Sequence, residues 1–581
     1  MFLSDVGCEV LASMLTAVIG WLSESRIMLF SLKKAVLASS WAAFLVAGKA
    51  HGHLGSKPNF IFIITDDQDL HLNSLNYQPA VQRHFAQQGT FFSKHYCTIA
   101  ICCPSRVSLL TGRAAHNTNV TDVSAPYGGY TKFISEGWNE KYLPVWLQDE
   151  GYNTYYTGKL MNGHSTTTYN DPFAKGWTAN DFFLDPNTYI YYNVTMQKDQ
   201  DVPVTYPGEY STDLAAERSL GFLDDAISKD APFFIGVAPI GPHAETISGS
   251  FNPPVPAKRH KDLFPGLKVP RTENFNPDVS SGASWISQLA QQNQTVVDYN
   301  DEFYRARIQS LQAVDDLIES IISRLEKDPL VYENTYLIYT TDNGYHIGQH
   351  RLAPGKTCPI EEDYNVPFFI RGPGIGKGKV VSLPTSHTDI VPTLFTLAGI
   401  PLQAEFDGEP MPVTAEQLQD TGHRSEHVNL EFWGDSIPEG GYGGSSSKNN
   451  TYKSVRVIAQ SYDLAYTVWC NNDHEIYDMK SDPGQMNNLH GSAGEVYGWD
   501  IEKLTARIDG LLLTLKACKG AVCTRPWAKL HPRGDVLSLS DAMKPAFDDF
   551  YVEQQLKVTF TACKEGYLAE FEGALEPVAY D

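Results

Sequence analysis

Residues 102–113 read Cys-Cys-Pro-Ser-Arg-Val-Ser-Leu-Leu-Thr-Gly-Arg, setting a thiol three residues before a serine and four before an arginine. A thiol there can be a nucleophile, a disulfide partner or a small buried hydrophobe. Arg106 adds a permanent charge and a fork of donors suited to oxyanions. Two further segments could hold a hard cation. The apolar run 59–65 ends in Asp66-Asp67-Gln68-Asp69, and the run 336–340 ends in Thr341-Asp342-Asn343-Gly344. Such oxygens suit Ca²⁺ or Mg²⁺ rather than zinc, although an acidic pair after a strand is more ordinarily a turn or cap. Cationic candidates are Lys159 after Thr157-Gly158, His243 after Gly241-Pro242, and Lys356 in Ala353-Pro354-Gly355-Lys356, fourteen positions beyond Asp342.

The spacing of Cys102, Pro104, Ser105 and Arg106, followed by Leu109, Thr111 and Gly112, resembles the signature of the sulfatase family. The resemblance implies that a formylglycine-generating enzyme oxidises Cys102 to formylglycine, with Cys103 at a variable position. Hydrated, that aldehyde is a geminal diol. One hydroxyl attacks sulfur as the alcohol leaves, a form of nucleophilic catalysis. The other then loses its proton, re-forming the aldehyde and expelling sulfate. The resemblance also assigns a calcium ion (magnesium being the alternative) to Asp66, Asp67, Asp342 and Asn343, with the group derived from Cys102 as a further ligand and Asp69 left as a cap. Cys102, Arg106, Lys159, His243 and Lys356 form the implied catalytic set. Fixed cations and the metal stabilise charge on sulfate oxygens, and His243 or a lysine protonates the leaving alcohol.

One departure concerns the histidine that many sulfatases carry two residues after the lysine, which is Met161 here, followed by Asn162, Gly163 and His164. Asn162 or His164 is therefore expected at the substrate. Asp342-Asn343-Gly344-Tyr345-His346 resembles the subgroup of glucosamine-6-sulfatases and extracellular heparan sulfatases, which makes His346 a candidate for the substrate pocket.

These residues need a rigid frame, and the pattern supplies one. Short apolar runs at 59–65, 233–237 and 336–340 read as strands buried on both faces, alternating with helical stretches such as 387–394. The expectation is an α/β, alkaline-phosphatase-like layered domain with a mostly parallel central sheet. Alternating, aromatic-rich runs at 452–457 and 465–470 predict a smaller carboxy-terminal domain with an antiparallel sheet. The expected boundaries are a leader at 1–50, a catalytic domain at 51–430 and the smaller domain at 431–581. Residues 244–300 read as a long surface excursion over the site. Gly440 to Asn450 reads as a loop, 501–515 as an amphipathic helix, and the remaining tail carries no clear signal.

Lys33-Lys34 followed by an apolar run to Gly48 reads as a signal peptide starting at Met28, so secretion is expected, with a lysosome- or vacuole-like compartment as the alternative. Asn119, Asn193, Asn293 and Asn449 lie in acceptor sequences for glycosylation. Cys518 and Cys523 bracket a four-residue loop and are the expected disulfide. With 45 Lys+Arg against 68 Asp+Glu the net charge is −23. No basic run or stacking platform is present, which excludes nucleic acid as a partner, and no stable membrane association is expected. The charge favours a small sulfate ester, as in an arylsulfatase, over a polyanionic chain. An exo-acting sulfatase on sulfated carbohydrate and a phosphate or phosphonate ester hydrolase are the alternatives. A secreted binding protein keeping only the fold is the rival from another class.

Overall fold

The computed structural model describes residues 57–419, 424–442 and 447–580. The expected leader and its start at Met28 lie outside them. The strands of the large sheet are β1 (Asn59–Thr65), β2 (Thr90–Phe92), β3 (Asn153–Lys159), β4 (Ala179–Leu184), β5 (Thr195–Lys198), β6 (Val204–Thr205), β7 (Phe233–Ala238), β8 (Thr335–Thr341), β9 (Phe368–Arg371) and β10 (Lys379–Val381). They form a ten-stranded sheet in the order β10-β2-β9-β8-β1-β7-β3-β4-β5-β6. Its centre, β8-β1-β7-β3-β4, is parallel throughout. β9 pairs antiparallel on one side and β5 on the other.

Strand β1 shows why its sequence is apolar without alternation. Ile61 and Ile63 face one core, with α2 (Ser211–Ser228) and α3 (Gln294–Leu325). Phe60, Phe62 and Ile64 face the other, with α1 (Cys102–Thr111) and α4 (Ile390–Ala398). A strand covered by helices on both faces must be apolar at every position. Each such side chain contributes roughly 1.5–3 kcal/mol on burial.

The second sheet contains β11 (His427–Phe432), β12 (Tyr452–Ile458), β13 (Asp463–Trp469) and β14 (His474–Asp478), antiparallel in that order. Val455, Val457, Leu464 and Val468 pack on α5 (Ile501–Leu515). Tyr452 and Trp469, on the opposite face, join Tyr96 and Cys358 in a core shared with the larger layer. Residues from Pro58 on form one compact unit, and the boundary expected after 430 falls within β11.

Two expectations change in detail. The excursion 244–300 contains a short hairpin, Glu245–Ile247 with Ser250–Asn252, and its last residues already belong to α3, capped by Asn293. The tail with no clear signal is structural: Phe547, Phe550, Tyr551 and Phe560 fill the core under α5. Cys518–Cys523 forms as expected, and Cys470–Cys563 also ties the end of β13 to the tail. Among the described residues Cys97, Cys102, Cys103 and Cys358 are free and buried.

Candidate active site

Strands β1 and β8 are parallel neighbours with Thr65 beside Thr341, so Asp66-Asp67 and Asp342-Asn343 leave the sheet together. The backbone N–H of Asp67 donates to Asp342 Oδ1 at 3.0 Å, and Asn343 Nδ2 donates to Asp67 Oδ1 at 2.8 Å. Asp67 holds a left-handed φ of 65°, unusual outside glycine. The fully buried Arg307 of α3 stabilises this bend, donating to the carbonyls of Asp67 and Pro242. Arg307 escaped the sequence reading. Its only signal is a charge on the apolar face of an amphipathic helix, between Tyr304 and Ile308.

Cys102 is the first residue of α1, all ten residues of which are buried. Its Sγ lies 3.6 Å from Asp66 Oδ1, 3.9 Å from Asp67 Oδ1 and 3.3 Å from Lys356 Nζ. Arg106 follows one turn later on the same face. Its Nε donates to Asp342 Oδ2 at 2.8 Å and its Nη1 to the Lys159 carbonyl at 2.6 Å. Nη2 has no hydrogen-bond partner and lies 3.6 Å from Asp66 Oδ2. Ser105 pins the helix to β8, donating to the Asp342 carbonyl at 2.5 Å, with His387 Nδ1 at 3.0 Å.

Lys159 ends β3 and reaches Asp66 Oδ2 at 2.7 Å. Gly158 before it needs both its φ of 102° and its missing side chain, because a Cβ would meet the Ala238 carbonyl at 2.1 Å. His243 Nδ1 faces its neighbour's carbonyl, Ala244 O, at 2.6 Å, which makes it the protonated nitrogen. His243 Nε2 then points to Asp67 Oδ2 at 3.6 Å. Tyr189 stacks on His243 at 4.1 Å and lies 4.8 Å from Lys159 Nζ, dividing the two groups. Lys356 reaches Asp67 Oδ1 at 2.5 Å and Glu439 Oε1 at 3.1 Å. Glu439, like Tyr189 and His387, was not foreseen: a lone acid before a Gly-rich loop carries no local signal.

Three carboxylates, Asp66, Asp67 and Asp342, thus face three fixed cations, Arg106, Lys159 and Lys356. Burial and Asp342 push Asp66 above its ordinary pKa. In Asp67, burial is outweighed by Lys356 and His243, which hold it down. Burial pushes the Cys102 thiol well up, so it stays protonated. The donors fit a hard cation. Asp67 Oδ2 and Asn343 Oδ1 are buried oxygens without a hydrogen-bond partner, and Asp66, Asp67, Cys102 and His243 offer ligand atoms within 4.8 Å of one another. The Asp342 oxygens are already engaged, one by backbone N–H groups and the other by Arg106.

The remaining candidates stand apart. His164 turns into the core between Tyr130 and Phe182, where burial lowers its pKa to about 3. Both of its ring nitrogens are buried without a hydrogen-bond partner among the described residues. Asn162 meets the site through Tyr189, donating to its hydroxyl at 2.8 Å. His346 bonds Asp363 Oδ1 at 2.7 Å, while its backbone pairs with Gly355 and so braces the loop carrying Lys356. Asp69 accepts the Ser74 N–H and lies 3.5 Å from Arg307.

Comparison with known proteins identifies the family. The model of the Sulfatase family matches residues 58–400. Sulfatase ppz1 of Metarhizium majus is 52% identical over 397 residues, 68% of this chain and 87% of its own. Arylsulfatase of Volvox carteri is 37% identical over 552 residues, 90% of this chain and 83% of its own. N-acetylglucosamine-6-sulfatase of Capra hircus is 30% identical over 516 residues, 83% of this chain and 87% of its own. Among solved structures, BT4656 in complex with D-glucosamine-2-N,6-O-disulfate superposes with a TM-score of 0.60 over 75% of this chain and 94% of that one. At 21% identity that likeness is one of fold. The chain belongs to the sulfatase family of sulfuric ester hydrolases.

Proposed function

We propose that this protein hydrolyses small sulfate monoesters, aryl sulfates foremost, using formylglycine at position 102 and a bound calcium ion. The carrying observation is the convergence of Cys102, two acidic strand ends, Arg106, Lys159, Lys356 and His243 in one buried cluster. Formylglycine supplies a nucleophilic hydroxyl, and the cation withdraws charge from sulfate oxygens. Asp66, Asp67, Asp342 and Asn343 hold the cation. The unpartnered Nη2 of Arg106 and the ammonium groups of Lys159 and Lys356 bind sulfate oxygens. His243, with Nδ1–H held by Ala244, gives a proton from Nε2 to the leaving alcohol when the ring carries protons on both nitrogens. A protonated, buried thiol is a poor nucleophile, which favours conversion of Cys102 over direct attack.

The relative from Capra hircus favours a second reading, exo-acting hydrolysis of a sulfated carbohydrate. Phosphate or phosphonate ester hydrolysis in the same pocket is the third. Two disulfides support passage through an oxidising, secretory route, and Asn293 and Asn449 are exposed acceptor sites for glycan. No helix among the described residues is long and apolar enough to cross a membrane. The test is peptide mass spectrometry of residue 102, from a host with a formylglycine-generating enzyme, beside hydrolysis of 4-nitrophenyl sulfate and phosphate. Formylglycine, faster sulfate turnover and their loss in Cys102→Ala are expected. Unmodified Cys102 without turnover overturns the reading.

A further inference from the structure

Lys356 carries three N–H donors, and three acceptors surround it: Asp67 Oδ1 at 2.5 Å, Glu439 Oε1 at 3.1 Å and Cys102 Sγ at 3.3 Å. Two of the three are committed to chemistry in the proposed mechanism, Asp67 to the cation and residue 102 to the substrate. Glu439 lies outside the group of ligand atoms that can share an ion. Its other oxygen, Oε2, is buried without a hydrogen-bond partner, so Lys356 is the one side chain its carboxylate engages among the described residues. A buried carboxylate is costly unless paired. Among the described residues it caps no helix and pins no strand.

The backbone sets the pairing distance. Glu439 N donates at 2.7 Å to the carbonyl of Pro354, two residues before Lys356. Two residues on, the Gly441 N–H donates to the Tyr299 hydroxyl at 2.8 Å, a second anchor for the segment. The loop of Lys356 is held on its other side by the backbone pair between His346 and Gly355. Both partners are therefore presented by anchored backbone.

We propose that Glu439 is a positioning residue for Lys356, supplying the acceptor that keeps its ammonium aimed at the group on residue 102 once Asp67 is engaged by the cation. This rests on the functional reading above. Sulfate bound between Lys356 and residue 102 gains an oriented donor, and Glu439 itself touches no reacting atom.

The test is a double-mutant cycle of Glu439→Ala and Lys356→Ala in the matured enzyme, read as kcat and KM for 4-nitrophenyl sulfate and as the inhibition constant of inorganic sulfate. Glu439→Ala is expected to lower kcat/KM about tenfold or more in the wild-type background and less than about twofold in Lys356→Ala. Glu439→Gln keeps an acceptor of the same shape and is expected to recover most of the loss. Glu439→Met, similar in length but without a side-chain oxygen, serves the cycle if Glu439→Ala does not fold. Equal losses in both backgrounds, or none in the wild type, overturn the proposal. A wild-type protein that turns over no sulfate ester overturns the functional reading instead. The cycle is then read from sulfate affinity by calorimetry, where the same pattern supports the positioning role and its absence sinks it.

Discussion

The Nε of Arg106 lies 2.8 Å from Oδ2 of Asp342, while the same guanidinium donates at 2.6 Å to the carbonyl of Lys159. One side chain on α1 thereby locks the ends of β8 and β3, which are not neighbours in the sheet. A lysine has no planar fork with which to span both. Arg106→Lys is expected to lower kcat/KM by about 100- to 1000-fold while the protein still folds. A loss under tenfold in steady-state kinetics would count against this coupling.

Metal binding has a readout independent of turnover. The partnerless oxygens Asp67 Oδ2 and Asn343 Oδ1 are satisfied when a cation enters. Calcium at a hundredfold excess over its Kd adds about 2.7 kcal/mol to stability. Calorimetry of chelator-treated protein should show a calcium-dependent rise in Tm, absent in Asp67→Asn. Identical unfolding temperatures with and without calcium would remove the metal site.

A buried trio outside the candidate site should govern the pH dependence of stability. His116 Nδ1 sits 2.8 Å from Glu431 Oε2, and Lys453 Nζ lies 2.7 Å from the same oxygen. Burial alone would lower the His116 pKa, but Glu431 outweighs it and the net shift is upward from 6.5. Glu431, despite burial, is drawn down from 4.5 to about 2 by His116 and Lys453. The raised histidine stabilises fully below about pH 6.5 and loses that contribution as pH rises through its folded value. The depressed glutamate stabilises above about pH 4.5 and loses it as pH falls toward 2. Denaturation between pH 5 and 9 should show stability falling above pH 6.5 in the wild type, with a flatter profile in His116→Gln. Parallel profiles would refute the assignment.

The two disulfides differ in the loops they close, with sequence separations of 93 and 5 residues. Loop entropy makes Cys470–Cys563 worth about 4–5 kcal/mol and Cys518–Cys523 about 2 kcal/mol. Serine replacement of each pair, followed by urea unfolding, should reproduce that order, and a larger loss from the short loop would contradict it.

Residues with a local grammar could be read from the chain. Strand β1 runs from 59 to 65, matching its apolar run, and the acids at its end meet those of β8 because parallel strands in register deliver their carboxyl ends to one crevice. Arg307 and Glu439 could not be read that way. They lie 240 and 337 positions from Cys102 or Asp67, and tertiary packing alone brings them in. His164 shows the converse: a polar ring five residues past a motif lysine reads as functional in sequence, and the fold packs it between Tyr130 and Phe182. The carboxy-terminal tail kept its role hidden because its aromatics are spaced irregularly, among short turns rather than on one helix.

Cys102 is 2% exposed, at the start of a helix with no surface residue, and is covered by Lys356 from a part of the chain more than 200 residues later. An enzyme that must grip this thiol cannot do so in the finished fold. The proposed oxidation at position 102 is then a matter of timing, expected before β8 inserts beside β1. A chain that folds faster than it is processed would be permanently inert although perfectly formed. Refolding unprocessed protein in the presence of the maturation machinery, against presenting that machinery with the native protein, separates these two fates.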